Sequence, residues 1–458
     1  MTNDLRFIGF GSCGEVGRSA FVLEDKENKI LLEAGLKLIP FQPSVPPLGL
    51  DEYASELDAA IISHAHIDHS GYLPAVYRHG FKGKTFMTDP SLDICRLLWE
   101  DHFKIEGERY WTMEDLETVY ENVVTMEYRK KRQITADISV EFFNAGHILG
   151  SAMVLIDWKG YRILYTGDFN DNQTPFFDGF DMPDDPVDLI ITESTNGVRT
   201  VPPRKKINNA FTKEVRTVLN QGKKVLIPSF AVGRSQELLT VLTESIKDYP
   251  IYVDGMINRM NSITERYLTP KWVSPTFLQK MKERGLQSPF EEDNVIGITR
   301  ENFERTWDFR RHIGQIEEPF IIISTSGMLM PSPIHTHMRY NAGDPQNLLA
   351  FVGYQAEGTI GREIIEGSRQ VSVQLDRKNT AEVPIRSRIM QFHFSGHVSE
   401  KGIKDLFTKL KPSEIILVHG SEDSRKSVAS LVGKDTKVHF PQIGDEIRLT
   451  SFEKKLNA

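Results

Sequence analysis

The run His64-Ala65-His66-Ile67-Asp68-His69 constrains this chain more than any other feature. It follows directly on residues 57–62 (LDAAII), an apolar stretch that reads as a buried strand. Three imidazoles and a carboxylate within six residues, at a strand end, suit a divalent cation. Imidazole and carboxylate are borderline-to-hard ligands that favour zinc or manganese. The alternative is a polar loop in which histidines cluster by accident. With only 13 histidines in 458 residues, accident does not account for three in one loop.

Three further sites share that placement. His147 lies in residues 144–151 (NAGHILGS), Asp168 in 165–168 (YTGD) and His419 in 415–420 (IILVHG), each just past an apolar strand. A single histidine in a glycine-flanked loop is more often structural than a ligand. Four such strand ends, brought to one edge of a sheet, make a site.

The rest of the chain reads as α/β, with short β-rich runs alternating with helical segments. Residues 138–167 read as a strand, a loop and a hairpin turning at Lys159-Gly160. Residues 187–192 form another strand. A helix (208–221), a strand (223–227) and a helix (234–246) follow, then a charged, poorly periodic region at 280–310. Strands at 388–393 and 414–418 flank a helix near 400–410, and a final helix and strand close the chain. The chemically loaded residues occupy both ends of the chain and are missing from the middle third. That distribution predicts a catalytic domain interrupted by an insertion.

Composition (40% hydrophobic, 26% charged) suits a soluble protein with a sizeable core. The net charge of −8 weighs mildly against a general nucleic-acid binder, although cations and a few local donors suffice to hold phosphates. Two basic runs, 129–132 (RKKR) and 204–206 (RKK), read either as solvated surface or as phosphate contacts. The longest uncharged stretch, 319–338, is broken by prolines and histidines, so no membrane span is expected. No signal peptide is evident. Two distant cysteines, Cys13 and Cys95, make no disulfide framework, and a cytoplasmic location is the simplest reading.

HAHIDHSG (64–71), AGHILGSA (145–152) and YTGDF (165–169) together resemble the metallo-β-lactamase fold. Glu193, His397 and His419 resemble the additional motifs of its nucleic-acid-processing branch, the β-CASP nucleases. Residues 227–234 (IPSFAVGR), 324–329 (STSGML) and 353–359 (GYQAEGT) are similar to that branch's inserted cassette. The resemblance spans essentially the whole chain. It implies an αββα metallo-β-lactamase fold in two parts, 1–202 and 385–458, interrupted by an α/β β-CASP domain at 203–384.

The same resemblance implies a ligand set. His64, His66 and His147 would hold one cation, and Asp68, His69 and His419 the other, with Asp168 bridging. Two Zn2+ per chain are expected, with Mn2+ or Mg2+ as alternatives. A hydroxide shared by the two cations, with Asp68 also counted as catalytic, would attack phosphorus. His397 would be the general acid and Glu193 would orient its imidazole. On its own, Glu193 reads as a strand-end carboxylate facing solvent. One departure stands out. Glu33, in 32–35 (LEAG), occupies a position where the family usually has Asp, and its extra methylene bears on how the ligands are oriented.

RNA is the expected substrate. His419 completes the second cation site, whereas DNA-repair members typically lack histidine there. Residues 392–399 (FHFSGHVS) look like ribonuclease J, and the cleavage-and-polyadenylation endonucleases usually carry Ser-Ala-His at that motif. A glycine permits close backbone approach, and a helix starting near Ser399 points N–H groups at an anion. Ser395, Gly396 and Ser399 could thus hold a terminal 5′-phosphate, with Ser229 and Phe230 on the opposite wall. The alternative there is a helix cap and a tight turn. Residues 15–19 (EVGRS) look closer to archaeal members of the cleavage-factor type. The expected activity is therefore 5′→3′ exonucleolysis of single-stranded, 5′-monophosphorylated RNA, with endonucleolytic cutting as the alternative. A non-catalytic RNA-binding scaffold is a third reading, disfavoured by the complete ligand set. A homodimer is left open.

Overall fold

A computed structural model describes residues 4–450, apart from positions 200, 304 and 376–378, together with Phe452 and Lys455. The chain divides into two compact units. The first comprises Met1–Asn172, Asp178–Val201 and Gly396–Ala458, and the second Gln173–Phe177 and Pro202–Ser395.

In the first unit two seven-stranded sheets are stacked face to face. One runs, edge to edge, Glu446–Arg448, Arg6–Gly11, Ala20–Glu24, Lys29–Leu32, Ala59–Ile61, Lys84–Thr88 and Val123–Met126. The other runs Lys437–His439, Glu414–Val418, Leu189–Glu193, Tyr161–Tyr165, Ala152–Trp158, Ile138–Asn144 and Arg132–Gln133. Strand alternation builds the layers. Phe142, Ile163, Tyr165 and Ile191 point inward, against Phe7, Phe21, Leu32 and Ile61 of the facing sheet. Their neighbours Phe143, Leu164 and Ile190 point outward, onto Ile403, Leu406 and Leu410 of the helix Glu400–Leu410. This is the αββα sandwich. The C-terminal segment joins both layers, because Lys437–His439 pairs with Glu414–Val418 and Glu446–Arg448 pairs with Arg6–Gly11.

The second unit is built on a six-stranded, wholly parallel sheet, in the order Val295–Ile298, Ile251–Asp254, Ile321–Ser324, Val225–Pro228, Leu348–Phe351 and Arg388–Gln391. Its inner strands are apolar on both faces, as a sheet with helices on either side requires. Val225 and Ile227 lie in one core cluster and Leu226 in the other. A small antiparallel hairpin, Gln370–Gln374 with Thr380–Pro384, accompanies the sheet.

Two boundaries differ from those read in the sequence. The Arg388–Gln391 strand pairs with Leu348–Phe351, so the chain returns to the first unit at Gly396 and not at 385. The helix expected over 208–221 spans Arg204–Asn220, beginning directly after Pro202-Pro203. Arg204, read as part of a basic surface run, is buried, with its Nε 3.1 Å from Glu237. The region 280–310 holds a half-buried strand, Val295–Ile298, whose four residues are too short to carry a period.

The central charge of the second unit is Asp254, fully buried at the end of its strand. Arg310 donates to it twice, at 2.7 and 2.8 Å, and His337 Nε2 lies 2.8 Å away. Replacing Asp254 by Ala strands that guanidinium, at a cost of about 3 kcal/mol. The expected result is a clearly lower denaturant midpoint for Asp254→Ala and a smaller loss for Asp254→Asn.

Candidate metal centre

Parallel pairing brings the chemistry to one edge. Tyr161–Tyr165, Leu189–Glu193 and Glu414–Val418 run in the same direction, with Tyr165 opposite Ile191 and Glu193 opposite Val418. Their C-terminal ends therefore present Asp168, Glu193 and His419 side by side. His147 follows Ile138–Asn144 and His64 follows Ala59–Ile61. Past the histidine-rich loop, the buried indoles of Trp99 and Trp111 donate to the carbonyls of Ser70 and Gly71 and fix the short helix Ile67–Ser70.

Three imidazole nitrogens converge. His64 Nε2 lies 3.1 Å, and His147 Nε2 3.2 Å, from His66 Nδ1. The outer nitrogens of two of these rings are already engaged. Ser63 Oγ lies 3.0 Å from His64 Nδ1, and the Gly396 carbonyl accepts from His147 Nδ1 at 2.7 Å. The nitrogens left over point at one another. Burial pushes the His64 and His147 imidazoles well below their ordinary range and His66 down to about 4. All three are thus neutral, the form in which imidazole binds a cation.

The second group lies beside the first. Asp68 Oδ2 is 3.3 Å from His419 Nε2 and 3.8 Å from His69 Nε2. Thr195 Oγ1 sits 3.0 Å from His419 Nδ1. Asp168 stands between the groups. Its Oδ2 lies 3.8 Å from His64 and His147 and 3.5 Å from His69, and its Oδ1 3.3 Å from His419. Burial opposes ionisation of Asp68 and Asp168, yet the surrounding imidazoles hold both below the usual carboxylate range.

Divalent cations fit these residues. Both ring nitrogens of His69 and Oδ1 of Asp168 are buried without a hydrogen-bond partner. Buried polar atoms are seldom left so unless something absent from the protein itself satisfies them. His64, His66, His147 and Asp168 form one group able to hold an ion, and Asp68, His69 and His419 another. Glu33, for all its extra methylene, stays within reach. Its carboxylate accepts from the Ser63 amide at 3.1 Å and lies 3.9 Å from His69 Nδ1.

Glu193 does not face solvent. It is buried, accepts from the Phe169 amide at 3.0 Å, and lies 2.9 Å from His397 Nδ1. His397 Nδ1 is also 3.8 Å from Asp168. Burial works against a charged His397, but the Glu193 carboxylate outweighs it and raises the imidazole to about 9.

The residues expected around a terminal phosphate are distributed over both units. Ser399 is the N-cap of Glu400–Leu410. Its hydroxyl accepts from the Gly402 amide, and both its amide and its hydroxyl donate to Asp171, at 2.7 and 2.6 Å. Gly396 belongs to the same unit, and its carbonyl serves His147. Ser229, Phe230 and Ser395 belong to the second unit. Ser229 is buried and its hydroxyl accepts from Ser235 at 2.9 Å. The sequence reading missed Ser63, Thr195, Asp171 and the Gly396 carbonyl. Only Ser63, next to His64, carried a local signal.

Residues 22–194 match the metallo-beta-lactamase superfamily domain, 235–364 the Beta-Casp domain, and 382–441 the Zn-dependent metallo-hydrolase RNA specificity domain. An RNase J-like protein of Methanocaldococcus jannaschii is 33% identical over 93% of this chain and 95% of its own length. This chain belongs to the β-CASP branch of the metallo-β-lactamase superfamily. Its similarity to transcription termination factor FttA of the same organism is also 33%, over 97% of this chain and 72% of that protein. A crystal structure of an Enterococcus faecalis protein of unknown function shares the fold, at a TM-score of 0.59 and 11% identity, covering 97% of this chain and all of that one. The enzyme is accordingly a metal-dependent ribonuclease. Among the described residues no helix is long and apolar enough to cross a membrane. Cys13 and Cys95 are both buried and unbridged.

Asp168→Ala removes a carboxylate that lies close to both groups. The protein should keep its circular dichroism spectrum, retain far less divalent metal on elemental analysis, and lose phosphodiesterase activity by at least about 100-fold, beyond what the loss of a supporting residue costs.

Proposed function

We propose that this β-CASP protein holds two zinc-class cations and degrades single-stranded RNA from a 5′-monophosphorylated end. One observation carries the chemical part of the reading: the buried Glu193 carboxylate holds His397 Nδ1 at 2.9 Å, and the same nitrogen lies 3.8 Å from Asp168. Cations bound by the two groups would activate water and neutralise charge on the phosphoryl oxygens.

The protein's own residues supply the rest. His64 and His147 have their outer nitrogens fixed by Ser63 and Gly396, so their inner nitrogens stay aligned as ligands without reorganisation. Glu193 orients the His397 imidazole through Nδ1, and that imidazole would carry a proton to the departing 3′-oxygen. Water adds to phosphorus, the P–O3′ bond breaks, and the products are a 5′-phosphate and a 3′-hydroxyl. The RNA 2′-hydroxyl takes no part in that step. The choice of RNA leans on the match to the RNA specificity domain and on the RNase J-like relative. The 5′→3′ direction leans on the Ser395-Gly396-His397 motif. Ser399 contributes less to this reading than its sequence suggests, because its donors go to Asp171.

Elemental analysis of active protein should give two ions per chain, and one ion or none overturns the two-cation reading. Glu193→Gln should lower kcat by about 100-fold or more with little change in KM, the range of a lost proton-transfer contribution. On RNA labelled at either end, mononucleotides should leave from the 5′ end, fastest from a monophosphate. Ser395→Ala should slow monophosphorylated RNA more than hydroxyl-ended RNA, whereas His397→Ala slows both alike. Ser399→Ala should instead cost about 1 kcal/mol of stability as a lost helix cap, with no change in end preference. Circular RNA cut as fast as linear monophosphorylated RNA would replace the exonuclease reading with the endonucleolytic one.

A further inference from the structure

The glycine-rich loop between the first two strands, residues 12–19 (SCGEVGRS), has no role in the chemistry above. Its backbone is nevertheless unusual. Within seven residues, Ser12, Gly14, Gly17 and Arg18 all have positive φ, of 52°, 90°, 95° and 50°. Left-handed geometry at two residues other than glycine persists only where the surroundings enforce it, and such residues gather at functional sites.

The loop touches two cation ligands through main-chain groups. The Ser12 carbonyl accepts from the His419 amide at 2.8 Å, and the Glu15 carbonyl from the Gly420 amide at 3.1 Å. At the other end, the Ser19 amide donates to the Asp68 carbonyl at 2.8 Å. His419 itself has a φ of 47°, so its backbone needs such a partner to stay in place. Gly35 seals the Asp68 side. Its amide donates to the Ser19 carbonyl, and a Cβ there would stand 1.8 Å from the Asp68 carbonyl oxygen.

Side chains hold the loop to its shape. Ser12 Oγ donates to the Gly17 carbonyl at 2.9 Å and accepts from Ser19 Oγ at 3.0 Å, both serines being fully buried. This hydroxyl pair joins the two ends of the loop, one holding His419 and the other Asp68. On the outer side, Glu15 pairs with Arg18 and Lys37, each at 2.5 Å.

We propose that this loop is a clamp that sets the spacing of Asp68 and His419, and that Ser12, Ser19 and Glu15 are positioning residues for the second cation group alone. The loop makes no such contact with His64, His66 or His147, whose support comes from Ser63 and Gly396. The inference rests on the two-cation reading for its metal readout but not for its backbone readout.

The test titrates metal-free protein with zinc and follows amide hydrogen exchange in wild type, Ser12→Ala and Glu15→Gln. Ser12→Ala should weaken the second zinc by about 10–100-fold, the usual cost of losing a residue that supports a ligand, and leave the first unchanged. Glu15→Gln, which is partly exposed and less prone to misfold, should shift the second zinc in the same direction by less. In both variants the amides of His419, Gly420 and Ser19 should exchange faster, while those of Ala145 and Ser151 stay as in wild type. Equal weakening of both zincs with faster exchange throughout would reduce the loop to a general structural element and overturn the proposal. If wild type takes up a single zinc, the two-cation reading fails, and the exchange pattern decides the clamp. Local acceleration at those three amides supports it, and unchanged exchange overturns it.

Discussion

Asp168 is a carboxylate almost wholly removed from water, with imidazoles of His64, His69, His147, His397 and His419 within 3.8 Å of its oxygens. A desolvated charge of this kind is tolerable only when compensated on all sides. The first unit supplies part of that compensation through the surrounding rings and leaves Asp168 Oδ1 without a hydrogen-bond partner. Each of the five rings comes from a different place in the chain, apart from His64 and His69; His64, His147 and His419 follow strand ends, and His69 sits on the short helix Ile67–Ser70. The sandwich is therefore less a container for the site than the means of bringing these side chains together.

Delivery requires backbone conformations that ordinary turns avoid. His419 and Glu33 both take positive φ, at 47° and 66°, and neither is glycine. Both are buried and both are held by neighbours: His419 by Ser12 and Thr195, Glu33 through its carboxylate at the Ser63 amide. Such conformations cost on the order of 1–3 kcal/mol each and survive only where the fold over-determines them. Glu33 shows how the departure from the family's aspartate is absorbed. The longer side chain still meets the Ser63 amide, and Ser63 in turn meets His64.

Much of this is legible in the sequence. The run of histidines at 64–69 lies within a single loop, so its chemistry is written in consecutive letters. Residues 138–167 read as a strand, a loop and a hairpin, and the Lys159-Gly160 turn joins the paired strands Ala152–Trp158 and Tyr161–Tyr165. Less was legible where the signal is shared between distant segments. Glu193 alone looks like any strand-end carboxylate, and only the Phe169 amide and His397 make it a buried orienting group. Ser399 reads equally as a phosphate donor or a cap until Asp171 occupies its donors. The edge strand Arg388–Gln391, exposed or half-exposed throughout, carries no burial pattern to say which sheet claims it.

By itself, then, the sequence determined the candidate ligand types, the strand ends that carry most of them and the presence of an inserted α/β segment. These are local properties: residue chemistry, two- and 3.6-residue periodicity, and the punctuation of glycine and proline. Only the tertiary structure decided which ring nitrogens of His64 and His147 face inward, since the choice depends on a hydroxyl beside His64 and a carbonyl 249 residues away from His147. It also decided that the chain leaves the inserted unit at Gly396, because parallel strand pairing is a contact between segments that no single segment encodes.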